Sequence, residues 1–298
     1  MEQAIGFGPQ RDLRGIVHLP DGAVRAGVVF VHGWSGDRTG PHRMFVHAAR
    51  RFAAEGFACL RFDLRGRGES AGDPVATDLD EMIADTLAAV ECLAREAQVE
   101  RVYVLGICSG GNVALGAASL RKDLGGLVLW STPLFAPFRS GATEAARRGR
   151  LFGEYLRKVF RRETWSKLFR GGLRWRIIVR NLVGRERGAP DGRNPKDSRR
   201  DIVADLSGYR GPMIFIYGSC DEDAVGAPEF FRQWCEREGV LAEFHTIEGA
   251  NHSYYSREWE DEVIGLSLEW LRRQSGGGGQ VGCERCDTRI EEGGRGGI

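Results

Sequence analysis

The sequence predicts an α/β protein whose mostly parallel central sheet is covered by helices on both faces and interrupted by a helical insertion. Three observations predict it. Short apolar, β-branched runs alternate with stretches of helical period through the first half of the chain. That alternation stops for roughly seventy strongly basic residues, and then it resumes. Strands and helices in this order need crossover connections, which lay the helices on the two faces of a parallel sheet. With 298 residues the chain can close such a core and carry an inserted subdomain without disulfides.

The strand signals of the first half are "AGVVFVHG" (Ala26 to Gly33), "FACLRFD" (Phe57 to Asp63), "RVYVLG" (Arg101 to Gly106) and "GLVLWS" (Gly126 to Ser131). Between them, Met44 to Glu55 repeats apolar residues at Phe45, Ala48, Ala49, Phe52 and Ala53. Leu79 to Ala97 does the same at Met82, Ile83, Thr86, Leu87, Val90 and Leu93, so both stretches predict helices with one buried face. After "STPLFAPF" an insert follows in which Leu151, Phe152, Tyr155, Leu156, Val159 and Phe160 draw an apolar stripe among arginines and lysines. The sheet pattern returns with "GPMIFIYG" (Gly211 to Gly218), a helix from Pro228 to Glu238, the strand "LAEFHTI" (Leu241 to Ile247) and an amphipathic helix from Trp259 to Leu271. From Ser275 onward glycine and charge dominate with almost nothing to bury, which predicts a disordered tail. The expected organisation is a core over 1–132 and 206–274, an insert over 133–205 and a tail over 275–298.

The composition is that of a soluble globular protein, with 42% hydrophobic and 28% charged residues. The first twenty residues lack a basic-then-apolar leader, and no apolar run approaches the roughly 18 to 20 residues of a membrane span, so a cytoplasmic location is expected. Seven cysteines without framework spacing fit a reducing compartment. The net charge of +1 hides a division. Leu134 to Arg200 holds 19 Lys and Arg against 6 Asp and Glu, a local net of +13, so the remainder carries −12.

Open parallel sheets place their ligand sites beyond the carboxyl ends of the strands, and four motifs fall there. "HGW" (His32 to Trp34) follows the first strand. "DLRGRGES" (Asp63 to Ser70) is a tight loop that Asp63 can brace through local hydrogen bonds. "GICSGG" sets Cys108 between glycines at a strand-to-helix turn, where a chain reversal leaves its side chain clear of the backbone. The fourth is the pair "GSCDEDAV" and "EGANHSYY", which brings Asp221 and His252 to later strand ends.

Together these motifs resemble the α/β-hydrolase superfamily over roughly residues 12 to 272, and the resemblance implies the α/β-hydrolase fold. Its members carry a small-x-nucleophile-x-small elbow followed in chain order by an acid and a histidine. Gly106, Cys108 and Gly110 match the elbow, with cysteine where the family has serine; Gly218 and Asp221 match the acid's Gly-x-x-Asp; His252 matches the histidine. "HGW" is similar to the family's oxyanion loop, and the insert sits where its lid sits. A closer likeness, through "GPHRMFVHAARRFAAEGF" and "EYLRKVFRRETWSKLFRGG", is to hydrolases associated with bacterial exosortase and exopolysaccharide gene clusters.

The resemblance implies a Cys108–His252–Asp221 triad. Helix N-terminal N–H groups and a neighbouring imidazolium would hold Cys108 as a thiolate that attacks a carbonyl to give a thioester acyl-enzyme. Ser109 is a rival nucleophile, but it stands one step past the apex, where its backbone N–H serves better with that of Trp34 as an oxyanion donor. His252 would move the protons, and Asp221 would orient it, with Glu222 and Asp223 as alternative acids. His32 and His42 are candidate substrate contacts, although His32 suits a structural hydrogen bond.

The function expected is cleavage of a carboxylic ester or thioester, small or carrier-linked. Acyl transfer through the same triad and a non-catalytic scaffold with an inert Cys108 are the rivals. The basic insert reads as a lid first and as a surface for an anionic substrate portion or a membrane second. No nucleic-acid recognition pattern accompanies its charge, so no such partner is expected. Cys283 and Cys286 form one "CERC" pair, which cannot complete a tetrahedral site, and neither metal nor cofactor is expected.

Overall fold

The computed structural model describes residues 1–134 and 198–276. The lid expected over 133–205 lies almost wholly outside the described residues, as do Cys283 and Cys286 in the tail. Eight strands form one sheet: β1 (Glu2–Phe7), β2 (Leu13–His18), β3 (Ala26–Val31), β4 (Phe57–Asp63), β5 (Val102–Ile107), β6 (Gly126–Trp130), β7 (Met213–Gly218) and β8 (Ala242–Ile247). Their order is β1-β2-β4-β3-β5-β6-β7-β8. β3 to β8 run parallel, and the β1–β2 pair joins β4 antiparallel at one edge.

That antiparallel edge is absent from the sequence reading, for a physical reason. β1 exposes Glu2, Gln3 and Ala4 to solvent at the rim and so has no apolar run to announce it. β2 buries only alternate residues at its start, Leu13 and Gly15, and a glycine weakens the strand signal.

Within the parallel strands, alternate side chains feed two separate cores. Val29 and Val31 of β3, Val104 of β5 and Phe215 of β7 face one. Val28, Phe30, Tyr103, Leu105, Ile214 and Ile216 face the other. The first core is roofed by α2 (Leu79–Ala97), α3 (Ser109–Leu120), the short α4 (Ile202–Leu206) and α5 (Ala227–Glu238); the second by α1 (Met44–Ala54) and α6 (Arg257–Gly276). Strands buried on both faces lose the period-two signature and read as continuous apolar runs, which is why β3 to β7 were legible, whereas β8 is only partly buried along most of its length.

The helices begin where the chain supplies the right ends. Asp78 and Glu81 form a reciprocal capping box at the start of α2, each side chain accepting from the other's backbone N–H at 3.0 Å. α1 presents Phe45, Ala48, Ala49 and Phe52 to the sheet, all fully buried, and Phe45 meets Phe30 edge-on at 5.2 Å. Each such phenylalanine contributes on the order of 2 kcal/mol by leaving water. α4 packs Ile202 and Leu206 into the core ahead of residue 206, and α6 continues through Ser275 and Gly276, two residues into the expected tail.

The topology then decides where the site can be. From β3 the chain crosses to β4 on one side and returns to β5 on the other, so the loops leaving β3 and β5 diverge from a common crevice. Register pairs Val31 with Gly106, Ile107 with Trp130 and Gly218 with Ile247. The loops after β3, β5, β7 and β8 therefore leave the sheet at nearly one level.

Candidate active site

Cys108 stands between β5 and α3 with φ 56° and ψ −131°, a region that side-chain-bearing residues rarely occupy. The turn is locked on both sides. The Cys108 N–H donates to the Trp130 carbonyl at 2.9 Å, and the Gly111 N–H donates to the Cys108 carbonyl at 3.0 Å. A Cβ on Gly106 would overlap the Gly110 carbonyl, and one on Gly110 would overlap the Val31 and His32 carbonyls. The two flanking glycines are thus required by close backbone approach, and the strained apex lifts the partly exposed thiol off the sheet at the amino end of α3.

The acid and the histidine come from two loops that interlock. Ser219 N–H donates to Ile247 and Cys220 N–H to Ala250, at 3.0 and 2.9 Å, while a Cβ on Gly218 would overlap the Ala250 carbonyl. This seam holds Asp221 and His252 together. Asp221 Oδ1 accepts from His252 Nδ1 at 2.8 Å and from the backbone N–H groups of Asp223 and Ala224 at 3.1 and 3.2 Å. Of the three candidate acids, Asp221 is the one bonded to the ring, and Asp223 serves it through its backbone.

His252 Nδ1–H is committed to Asp221, so the ring offers Nε2. That nitrogen is buried and lacks a hydrogen bond of ordinary geometry, yet the Cys108 sulfur is near enough to act on it. Burial works against a charged ring here. The hydrogen bond to Asp221, then the adjacent Cys108 sulfur, outweigh it and push the His252 pKa up from 6.5 to about 10.

The loop after β3 completes the site. Ideal Cβ geometry at Gly33 lies 3.4 Å from the Cys108 Cβ. The Trp34 N–H, expected to face an oxyanion, donates to Ser109 Oγ at 2.6 Å. The Ser109 hydroxyl therefore occupies one of the two expected donors, and the Ser109 N–H belongs to the first turn of α3, which has no intrahelical acceptor.

His32 is not a substrate contact. It is buried, with Nδ1 against the Gly33 carbonyl at 2.7 Å and Nε2 accepting from the Leu64 N–H at 3.1 Å. Both nitrogens are used, and burial lowers its pKa, so it is a neutral structural ring that holds the Gly33–Trp34 peptide. His42 has protein partners of its own. It pairs with Glu260 at 3.3 Å, shared with His47, and meets Tyr255 edge-on at 5.7 Å.

The "DLRGRGES" loop is braced as its sequence suggests. Buried Asp63 accepts from the Arg38 and Glu69 backbone N–H groups at 2.7 and 2.9 Å and pairs with the Arg38 guanidinium. The sequence reading missed Arg67 in the same loop. Its Nε donates to the Trp34 carbonyl at 2.7 Å, and its guanidinium lies 5.3 Å from the centre of the Trp34 ring. Nothing in a loop with two arginines distinguishes the one that turns inward. Among the described residues no group of three or more His, Cys, Asp or Glu is placed to hold a metal, and no helix is long and apolar enough to cross a membrane.

Comparison with known proteins agrees with this geometry. The model of the alpha/beta hydrolase family matches residues 28–266. The chain is 34% identical over 105 residues to the quorum-quenching protein AidA of Acinetobacter baumannii, covering 34% of this chain and 33% of AidA. It is 34% identical over 127 residues to esterase EstD of Thermotoga maritima, covering 41% of this chain and 30% of EstD. The chain thus spans about a third of the length of these curated relatives. Among solved structures it superposes on DcsB in complex with a substrate analogue (TM-score 0.65, 19% identity, 93% of this chain and 100% of that one). It also superposes on Est1E of Butyrivibrio proteoclasticus (TM-score 0.61, 17% identity, 92% and 99%), and at these identities the likeness is one of fold.

Proposed function

The chain belongs to the α/β hydrolase family, and from that premise we propose that it cleaves a carboxylic ester or thioester through a thioester acyl-enzyme on Cys108. The observation that carries the reading is the His252 ring, bonded to buried Asp221 through Nδ1 and presenting Nε2 beside the thiol at the strained elbow. A scaffold with an inert elbow would need neither the partly exposed sulfur nor the oriented ring. The similarity to an esterase over part of the chain supports the same class of chemistry.

In the first half-reaction the proton of Cys108 resides on His252 Nε2 and the sulfur attacks the acyl carbon. A C–S bond forms, the carbonyl oxygen becomes an oxyanion, and the Ser109 and Trp34 N–H groups are its donors once the Ser109 hydroxyl turns aside. The bond to the leaving oxygen or sulfur breaks as Nε2–H gives it the proton. Acylation then changes the histidine. A thioester sulfur carries no charge and makes no strong hydrogen bond, so the two contributions of Cys108 to the raised pKa vanish and the ring becomes a base. Nε2 takes a proton from water, hydroxide adds to the thioester, and the C–S bond breaks to release the acid and restore the thiol.

Thiolate is itself a good leaving group, so its adduct with an unactivated amide collapses backwards. Esters and thioesters are therefore the favoured substrates. The basic insert over 133–205 is the proposed lid, and the hydrolases associated with exosortase systems are the proposed context. The test is incubation with short p-nitrophenyl esters and acyl thioesters, with intact mass used to detect acylation. Cys108→Ala and His252→Ala are expected to lose turnover by orders of magnitude, since nucleophile and base act as a unit. Full turnover in Cys108→Ala, with the acyl group on Ser109, overturns the proposal.

A further inference from the structure

The three cations around the "DLRGRGES" loop are not alike. Arg38 pairs with Asp63 and, at 2.6 Å, with Glu69. Arg65 forks onto Asp85, with Nη2–Oδ1 at 2.5 Å and Nε–Oδ1 at 3.0 Å, and reaches Glu81 at 3.2 Å. Arg67 is more than nine-tenths buried, at 8% exposure, and among the described residues no carboxylate pairs with it. Its protein partners are two carbonyls, that of Trp34 at 2.7 Å and that of Gly66 at 3.5 Å, and its Nη2 has none among the described residues. Burial alone acts on its pKa, pulling it down with no acid to oppose the shift. A guanidinium largely covered by protein and paired with no carboxylate among the described residues is poised to take an anion, since proteins ordinarily supply such a cation with a partner.

Its position says where an anionic ligand would sit. Trp34 holds Arg67 through its carbonyl and its ring face, and the N–H of that same residue reaches Ser109 beside the nucleophile. The guanidinium thus lies behind one residue of the oxyanion loop. With the ring against its face, its edge N–H groups remain to bind. We propose that Arg67 is a substrate-binding residue that takes a carboxylate carried a few atoms from the scissile carbonyl. The planar fork suits that anion, and neutral acyl groups leave the cation unmatched. This inference rests on Cys108 being the nucleophile, and it narrows the substrate to an acyl compound bearing its own negative charge.

The test compares two alkylating reagents of nearly equal size, iodoacetate and iodoacetamide. In both, Cys108 sulfur attacks the methylene carbon, a C–S bond forms, and the C–I bond breaks to release iodide. The parent is expected to prefer iodoacetate, relative to glutathione under the same conditions, and to saturate with it. Arg67→Gln should slow iodoacetate about ten-fold or more, as loss of a charge-assisted hydrogen bond implies, while the iodoacetamide rate stays within about two-fold. Excess succinate should protect the parent from iodoacetamide and should not protect Arg67→Gln. If Arg67→Gln does not fold, Arg67→Lys and succinate protection of the parent carry the test, with an intermediate preference expected for the lysine. An unchanged preference, or equal slowing of both reagents in the glutamine and lysine variants, would overturn the inference and leave Arg67 a brace for the Trp34 loop. Failure of both reagents to label Cys108 in the folded parent would instead overturn the nucleophile reading, and this inference with it.

Discussion

Replacing Cys108 by alanine should lower the pKa of His252, and the structure sets the scale. The displacement from 6.5 to about 10 corresponds to roughly 5 kcal/mol of preference for the charged ring, a ceiling because the side chain keeps 23% of its exposure. Burial opposes that preference. Asp221 supplies the largest favourable contribution, through a 2.8 Å hydrogen bond, and Cys108 the next through hydrogen bond and charge. In Cys108→Ala the ring should therefore titrate clearly below 10, and in Asp221→Ala, which removes the acceptor of the Nδ1–H and its charge, it should also move down. The assay is a proton–carbon NMR titration of the imidazole rings, with His252 among the six histidines identified by its absence from His252→Gln. The sign for stability follows. A pKa raised on folding contributes fully below about 6.5 and is lost as pH rises through about 10, so the stability gap between parent and His252→Gln should narrow over that window. A parent ring titrating near 6.5, or an identical midpoint in parent and Cys108→Ala, would refute the coupling between thiol and imidazole.

Three other substitutions test the surrounding architecture. Gly110→Ala drives a methyl into the Val31 and His32 carbonyls, so urea unfolding should show a loss of roughly 1–3 kcal/mol or more; an unchanged midpoint would mean that the elbow is not held by that approach. Ser109→Ala removes the acceptor used by the Trp34 N–H, and acylation of Cys108 should speed up by no more than about ten-fold, the worth of one neutral hydrogen bond. Slower acylation would show instead that the hydroxyl itself donates to the oxyanion. Asp63→Asn removes the buried carboxylate from Arg38, which keeps Glu69, and should cost about 1–3 kcal/mol in a denaturant titration, whereas a negligible change would show that the loop is braced elsewhere.

The sequence alone determined the parallel core and the chain order of the reactive residues. Strands buried on both faces must be continuously apolar, and helices on a sheet must repeat at their own period, so β3 to β7 and helices α1, α2, α5 and α6 are written in local composition. The elbow is local too, because Gly106 and Gly110 must be small wherever the chain folds this tightly. Spacing also selected Asp221 ahead of Glu222 and Asp223, and the hydrogen bond to His252 makes the same choice. What no local pattern encodes is which side chain a distant loop will meet. The β1–β2 edge depends on β4 offering it hydrogen bonds. His32 is a buried, doubly bonded ring because the Leu64 N–H arrives from another strand end, and His42 meets Glu260 because the last helix approaches it. Ser109 Oγ fills the Trp34 donor across 75 residues of chain. Arg65 and Arg67 are chemically identical in the sequence, and only packing makes one a half-buried partner of Asp85 and the other a buried cation beneath Trp34. Hydrogen bonds and charges act over a few ångströms in space whatever the separation along the chain, so these assignments became definite only when the sheet brought its strand ends together.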